Sequence, residues 1–254
     1  MRIKRKKISI CRVSNLLDSG IAAQEIIDEF IRINKAVWND ITLPEYVWTE
    51  EMLRSQFLTC PKHLYCAFEG GEMVGTASGF ICDEGDLEKY KTWQEKTGNG
   101  HFSHHKPRGK IGFGADLSVT REASPKTSNR LMISLLVCGV LGNGVKSLYL
   151  GSRIPGYHKH KDMNVEDYVL GKRKSGKPLD PELYFYLKKG FKIVEVIPEY
   201  MHDPESLNYG VLIRWDNPGY SITRIFPFLK LAMRFISASV LLHIPRGVIS
   251  KNCR

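Results

Sequence analysis

The fold of this chain is constrained most strongly by a predicted helix in its middle that is apolar on nearly all sides. Residues 130–141 read RLMISLLVCGVL, so a helix there must be buried rather than lie on the surface. Strand-like runs flank it at Ile111–Val119 and Val145–Leu150, and the glycines of Gly142–Gly144 are expected to end it. A strand, a buried helix and a second strand in succession are typical of a layered α/β domain.

Hydrophobic periodicity extends this pattern along most of the chain. The expected helices and strands are, in order, strand Ile8–Val13, helix Ala22–Trp38, a short helix over Thr49–Phe57, a hairpin of His63–Phe68 and Met73–Ile81, then, beyond the central unit, helix Pro181–Lys189 and strands Phe191–Ile197 and Tyr209–Trp215. Residues 84–110 are polar and are predicted to form a long insertion. The sequence therefore predicts one α/β domain over residues 8–218, a mixed sheet of about seven strands with helices on both faces.

The net charge of +10 belongs to the two ends of the chain. Five basic side chains lie in residues 1–7, and six lie in residues 219–254, which contain no acid. The remaining residues 8–218 are close to neutral and show no basic stripe interleaved with aromatics, so a nucleic-acid partner is not expected. A basic end favours phosphate on an anionic membrane surface.

The C-terminal segment 219–254 is basic, apolar and expected to be helical. Lys230 and Arg234 lie four residues apart within the apolar run Ile225–Ile244, which disfavours a membrane-spanning helix. An amphipathic helix on a membrane surface remains open, as does a helix packed on the domain or in a homodimer.

Cysteine and histidine usage predicts neither a disulfide framework nor a metal site. The six cysteines form no CxxC pair, and the N-terminal MRIKRKK leads directly into a strand-like run without an apolar signal segment. Histidines 101, 104, 105, 158 and 160 lack metal-ligand spacing. We therefore expect reduced thiols, no metal, and a cytoplasmic protein that is peripheral on the inner face of the membrane if the tail binds lipid.

Two short motifs and the order of elements resemble the GNAT N-acetyltransferase superfamily over about 210 residues. The motifs are Gly144–Leu150, similar to that family's turn into its fifth strand, and Tyr186–Phe191, similar to its Y-x-x-x-G-F signature. A narrower set is similar to the acetyltransferase domain found joined to nitrilase-like carbon–nitrogen hydrolases. It comprises Gly151–His158, Met163, Tyr168, Asp180–Leu183, Asp203, Glu205–Ser206, Tyr209–Gly210, Trp215–Pro218 and the insertion with Trp93, Gly98, Gly100, His104 and Pro107. The resemblance implies a sheet that is splayed at its centre.

The resemblance also implies an acetyl-CoA or other acyl-CoA co-substrate. Its pyrophosphate loop would fall on residues 124–129, where both family glycines are replaced, by Thr127 and Asn129. The implied donor-binding residues are Lys126, Thr127, Ser128, Asn129 and Arg130 for the phosphates, with Leu117 and Val119 beside the pantetheine arm. Helix-capping side chains and nearby cations are retained, although the backbone freedom of glycine is lost.

The implied catalytic residues are Tyr186, as the acid that protonates the leaving thiolate, and Asp116, as a base or ammonium partner. Arg153, Tyr157 and His158 follow the fifth strand and are expected to form a substrate pocket. Each residue also has a purely structural alternative. Tyr186 would pack against the sheet, Asp116 would form an ion pair with a lysine, and residues 153–158 would form a tight turn.

These residues predict an N-acyltransferase, most simply an N-acetyltransferase, acting on a small-molecule or peptide amine. The altered 124–129 loop leaves two alternatives open. One is an acyltransferase whose donor is an acyl-carrier protein, and the other is a catalytically inactive scaffold that binds a ligand or attaches to a membrane.

Overall fold

The computed structural model describes residues 7–142 and 144–221. The predictions for most of the basic arm and for the segment 222–254 lie outside these residues. Seven strands form one sheet in the order β1-β2-β3-β4-β5-β7-β6. They are β1 Ile8–Arg12, β2 Leu64–Glu69, β3 Glu72–Cys82, β4 Ile111–Val119, β5 Ser147–Ser152, β6 Lys192–Ile197 and β7 Gly210–Asp216. The predicted mixed sheet of about seven strands is confirmed.

Eight α-helices are found in the described part of the chain. They are α1 Val13–Asp18, α2 Ala23–Trp38, α3 Glu50–Thr59, α4 Glu84–Lys89, α5 Trp93–Thr97, α6 Thr127–Ser134, α7 Val165–Leu170 and α8 Pro181–Leu187. Short 3₁₀ turns occupy Pro44–Tyr46, Pro61–His63, Tyr157–His160 and Pro204–Ser206. Within the described ranges, none of the helices has both the length and the apolar character needed to span a bilayer.

The central helix departs from its prediction. It begins at Thr127 rather than Arg130, and after Ser134 it continues as a π-helical segment over Leu135–Leu141. Leu131, Met132 and Leu135 are buried, as the apolar sequence required. The first helical residue, Thr127, is buried, and its hydroxyl donates a hydrogen bond to Glu69.

The centre of the sheet opens between β4 and β5. These strands run parallel and pair from Ile111 with Ser147 to Gly114 with Leu150, and beyond that point each pairs only with its outer neighbour. The β3–β4 register also shifts there, because Ser78 pairs with Asp116 while Gly79 pairs with Gly114. Ala115 is therefore an extra residue in β4, and such a bulge redirects the side chains beside it.

Helices cover both faces of the sheet and enclose two apolar cores. On one face, Ile26, Ile27, Phe30 and Ile33 of α2 are buried against the sheet. On the other face, α6 and α8 pack over β4, β5 and β7. A buried aspartate, Asp180, fixes the start of α8, since its Oδ1 accepts hydrogen bonds from the amides of Glu182 and Leu183 at 2.8 and 3.0 Å.

Candidate active site

A cavity lies where β4 and β5 diverge. Including its open mouth it measures about 700 Å³, and it is bounded by β4, β5, α6, α8 and the end of α2. Its polar wall carries Asp116, Arg153, Glu182 and Tyr186. The opening of the sheet thus brings together chemically active side chains that are up to 70 residues apart in sequence.

Asp116 lines the cavity directly after the bulge in β4. Its Oδ1 accepts hydrogen bonds from Ser118 Oγ at 2.7 Å and from Trp38 Nε1 at 3.0 Å. Its Oδ2 is buried and lies beside Thr76 and Trp48, whose side-chain polar groups make no other hydrogen bond in the described residues. Burial raises the pKa of this carboxyl to about 6, and the donors Ser118, Trp38, Thr76 and Trp48 lower it in part. Both oxygens of the carboxyl thus face donors from the protein.

Tyr186 lies in the second turn of α8 and also lines the cavity. Its ring packs edge-on against Phe185 and Phe191, with centroids 5.0 and 5.6 Å away. Burial, then the nearby carboxyls of Glu182 and Asp116, raise the pKa of its phenol well above the usual range. The phenol therefore remains protonated and can donate a hydrogen bond, as an acid must.

Glu182 is a site residue that the sequence analysis did not assign. It precedes Tyr186 by one helical turn, so the two side chains share a face of α8, and both line the cavity. In the described part of the chain its carboxylate makes no hydrogen bond or salt bridge. Burial raises its pKa to about 7, Arg153 opposes that rise, and Asp180, Asp203 and Glu205 add to it. The sequence signals for it were the four-residue spacing from Tyr186 and its place in Asp180–Leu183, a segment that is part of the family resemblance but gave Glu182 no role.

Arg153 lines the cavity as expected, but its guanidinium is bound by the protein. Nε and Nη2 bind the two carboxylate oxygens of Asp203 at 2.7 and 2.9 Å, and Nη2 also binds Glu205 at 2.9 Å. Its guanidinium carbon lies 5.5 Å from the ring centre of Trp38. Its bidentate capacity, which we had expected to hold a substrate anion, is used by Asp203.

Tyr157 and His158 do not border the cavity. The Tyr157 hydroxyl donates to the carbonyl of Met163 at 2.9 Å, and the ring is buried. His158 Nδ1 lies 2.8 Å from the carbonyl of Pro155. Both side chains thus hold the turn after β5, which is the structural alternative for this segment.

Aromatic side chains form the opposite wall, and the insertion 84–110 supplies one of them. Trp93 lies 5.5 Å from Trp48 and 5.7 Å from Tyr46 between ring centroids. Its indole nitrogen donates to the carbonyl of Ala115 at 3.0 Å, which ties the insertion to the bulge in β4. On β5, Tyr200 lies over Gly151, where a methyl group would collide with its ring.

The loop predicted to bind pyrophosphate is held by a buried glutamate. Glu69 Oε1 accepts a hydrogen bond from the amide of Ser124 at 2.8 Å and one from the hydroxyl of Thr127. The amide of Thr127 donates to the carbonyl of Ser124 at 2.9 Å, so this residue has no group free for a phosphate. The amides of Ser128 and Asn129, by contrast, have no acceptor within the described chain.

The other residues predicted to bind the acyl donor differ in how far the protein already engages them. Lys126 is exposed, whereas Arg130 donates to the carbonyl of Ile8 at 2.8 Å. Leu117 lines the cavity and Val119 is half-buried, both in the part of β4 that is unpaired with β5. The described residues contain no group of three or more His, Cys, Asp or Glu side chains placed to hold a metal ion.

Both sequence relatives and solved structures resemble this chain. No family model matches the chain. The Uncharacterized N-acetyltransferase YkwB of Bacillus subtilis (strain 168) is 30% identical over 181 residues, which are 69% of this chain and 78% of that protein. The Probable hydrolase YhcX of the same organism is 30% identical over 176 residues, which are 68% of this chain but 34% of that protein. The chain thus spans about a third of the second relative.

Two solved structures have the same fold. The loading GNATL domain of CurA from Lyngbya majuscula has a TM-score of 0.68 at 18% identity, covering 83% of this chain and 98% of that one. The GphF GNAT-like decarboxylase, in complex with isobutyryl-CoA, has a TM-score of 0.63 at 21% identity with the same coverage. At these identities the similarity concerns the fold.

Proposed function

Because the chain belongs to the GNAT superfamily of acetyltransferases, and is therefore an acyltransferase enzyme, we propose that it moves an acyl group from acyl-CoA to the nitrogen of an amine. One observation carries this proposal. The Tyr186 hydroxyl and the carboxyls of Asp116 and Glu182 border a single cavity at the point where β4 and β5 diverge. An acid and a base are both required for transfer between a thioester and an ammonium ion.

The proton transfers follow from the chemistry of the two substrates. An amine enters mainly as the ammonium ion, so a carboxylate must take a proton before the nitrogen can attack. The pKa values of about 6 for Asp116 and about 7 for Glu182 suit a base at neutral pH. The nitrogen then forms a bond to the thioester carbon, and the carbon–sulfur bond breaks.

The leaving thiolate is stabilised by Tyr186. Because the pKa of this phenol is raised above its usual range, complete loss of its proton is unfavourable. The hydroxyl therefore acts first as a hydrogen-bond donor to the developing thiolate, and sulfur ends as a thiol once the proton has been passed on. The ammonium ion loses two protons in becoming an amide. One, taken by a carboxylate, is returned through the phenol to the thiolate, and the other is released to solvent, so the protons balance over one turnover.

The donor is proposed to lie along the unpaired part of β4, beside Leu117 and Val119, with its phosphates near Lys126, Ser128 and Asn129. Free amides at the start of α6 support this placement, since the N-terminus of a helix favours anions. A neighbour of the same fold was crystallised with isobutyryl-CoA, which is a donor of the class proposed here.

Calorimetric titration of the full chain tests the donor. We expect saturable binding of acetyl-CoA or of a longer acyl-CoA, and weaker binding of the acylated pantetheine that lacks the nucleotide. No heat of binding with any acyl-CoA at millimolar concentration would remove the proposal and would leave the carrier-protein donor or the inactive scaffold.

A further inference from the structure

The cavity has the charge of a site for cations. It is bordered by the two carboxyls of Asp116 and Glu182 and, among its lining residues, by one cationic side chain, Arg153. The charge of Arg153 is already compensated, because Asp203 and Glu205 bind it at 2.7–2.9 Å. A ligand in the cavity therefore meets a surplus of negative charge, which repels an acceptor bearing a carboxylate.

The Glu182 carboxylate is the negatively charged group in the cavity that the protein leaves without a bonded partner. It is half-buried, and within the described residues it makes neither a hydrogen bond nor a salt bridge. Asp116 borders the same cavity but faces the donors Ser118, Trp38, Thr76 and Trp48. An ammonium ion offers up to three donors to a carboxylate such as that of Glu182.

The opposite wall is aromatic, and the ring of Trp93 is tilted by 39° to that of Trp48 and by 50° to that of Tyr46. Trp48 and Trp93 are almost fully buried, whereas Trp38 and Tyr46 are half-buried. The Arg153 guanidinium already lies over Trp38, so this face accepts a cation as well as an apolar group.

We infer that the acceptor is a primary amine with an apolar, aromatic body and no carboxylate. Its ammonium group is bound by Glu182, in the cavity that Asp116 also borders, and its body lies on the wall formed by Trp48, Trp93 and Tyr46. This inference rests on the proposed acyl transfer and names its substrate class. In the reaction, Glu182 takes the proton that the nitrogen loses as the nitrogen–carbon bond forms and the carbon–sulfur bond breaks.

A panel of matched amines tests the inference. With the full chain and a bound acyl-CoA, thiol release is measured with phenethylamine, ethylamine, L-phenylalanine and glucosamine. We expect kcat/KM for phenethylamine to exceed that for L-phenylalanine, which differs by its carboxylate, and that for glucosamine by about 10-fold or more. Faster reaction with L-phenylalanine or glucosamine would overturn the inference but leave the acyl transfer intact.

Variants connect the preference to the residues that cause it. Glu182→Gln is expected to raise the KM for phenethylamine about 10-fold, whereas the exposed Glu88→Gln leaves it unchanged. Tyr46→Ala, at the half-buried edge of the wall, is expected to raise the KM for phenethylamine but not that for ethylamine. Equal effects on the two amines would contradict the aromatic contact.

Binding without turnover provides an independent readout. Phenethylamine should raise the melting temperature of the wild type and of Glu88→Gln, but not that of Glu182→Gln. A shift of equal size in Glu182→Gln would overturn the role of this carboxylate. If instead acyl-CoA does not bind and no amine releases thiol, the proposed function itself has failed, so the two failures are distinguishable.

Discussion

The cavity and the loop at the start of α6 differ in how many of their polar groups are already bound within the protein. In the cavity, the proposed acceptor end, the Glu182 carboxylate makes no hydrogen bond or salt bridge with the described residues. In the loop, the proposed donor end, Glu69 engages Ser124 and Thr127, and Arg130 is bonded to the backbone of Ile8. The proposed acceptor end thus has a carboxylate left for a ligand, while most of the proposed donor loop serves to hold the protein together.

This difference explains why the loop can lose the family's glycines and keep its shape. A glycine loop leaves its backbone amides for the phosphates, but here a buried carboxylate of β2 fixes the turn through a side-chain hydroxyl. The groups left for the proposed anion site are the first-turn amides of Ser128 and Asn129 and the exposed Lys126. We infer that donor affinity depends more on the pantetheine and acyl portions than on the phosphates.

The largest effect is expected at the acceptor end, from Tyr186→Phe. Removal of the hydroxyl should lower kcat by about 100-fold, because the leaving thiolate loses its hydrogen-bond donor. Acyl-CoA affinity should stay within about two-fold, since the ring still packs against Phe191. Steady-state kinetics and calorimetry together measure both quantities.

The matched control is Tyr184→Phe, on another face of the same helix, which should turn over like the wild type. Unchanged turnover in Tyr186→Phe would show that Tyr186 is not the acid. The proposed difference between the acceptor end and the donor end would then lose much of its support.

Substitutions at the donor end should affect the stability of the protein before they affect acyl-CoA binding. Thr127→Val removes a donor to the buried Glu69 carboxylate and should lower the free energy of unfolding by about 2 kcal/mol. Thr127→Ser keeps the hydroxyl and should recover most of that loss in chemical denaturation. If Thr127→Val unfolds like the wild type but loses acyl-CoA binding, Thr127 contacts the donor, and the loop is not primarily structural.

The pH dependence of the free energy of unfolding tests the role of Glu182 at the acceptor end. Its pKa is raised to about 7 in the folded protein, mainly by burial and then by the facing carboxyls Asp180, Asp203 and Glu205, with Arg153 acting in the opposite direction. A raised carboxyl pKa means that the folded state holds the proton more tightly than the unfolded state. Its ionisation therefore costs stability, progressively as pH rises from about 4.5 to about 7.

Glu182→Gln should consequently be more stable than the wild type by about 2 kcal/mol at pH 8 and equal to it near pH 4. Chemical denaturation across this range measures the difference, and Glu88→Gln should show none. Lower stability of Glu182→Gln at every pH would mean that the carboxylate is bound by Arg153 rather than available to a ligand.

The smallest effect is expected for Lys126→Ala. An exposed cation contributes little, so acyl-CoA affinity should fall about three-fold at low salt and hardly at all at high salt. Lys174→Ala, an exposed lysine elsewhere, is the control in the same titration. A loss of 100-fold or more would show that the donor end depends on its charges after all.

The fold was largely predictable because it depends on local patterns. All seven strands lie within two residues of their predicted bounds, since apolar runs separated by turns and polar segments set both ends. The short helices α1, α4, α5 and α7 were not predicted, because five or six residues carry too little periodicity. The bulge at Ala115 was also invisible, as it depends on the register with β3.

The site was predictable only in part, for a different reason. Tyr186 was named through a motif and Asp116 through its place on a central strand, and both border the cavity. Arg153 was expected to bind substrate because it follows the fifth strand. Its actual partners, Asp203 and Glu205, lie about fifty residues away in sequence and could not be recognised locally. Thr127 was misjudged in the same way, since Glu69 is 58 residues distant. The sequence around Arg153 or Thr127 does not show that each side chain already binds a residue far away in the chain.

The most direct test of the account measures both products of one reaction. The full chain is incubated with acetyl-CoA and phenethylamine, and free thiol and N-acetylated amine are quantified in the same samples by absorbance and mass spectrometry. The account predicts one acetylated amine for each thiol, formed by the wild type and by Tyr184→Phe and about 100-fold more slowly by Tyr186→Phe. Bound acetyl-CoA with no amine-dependent release of thiol, across the whole panel of amines, would contradict it.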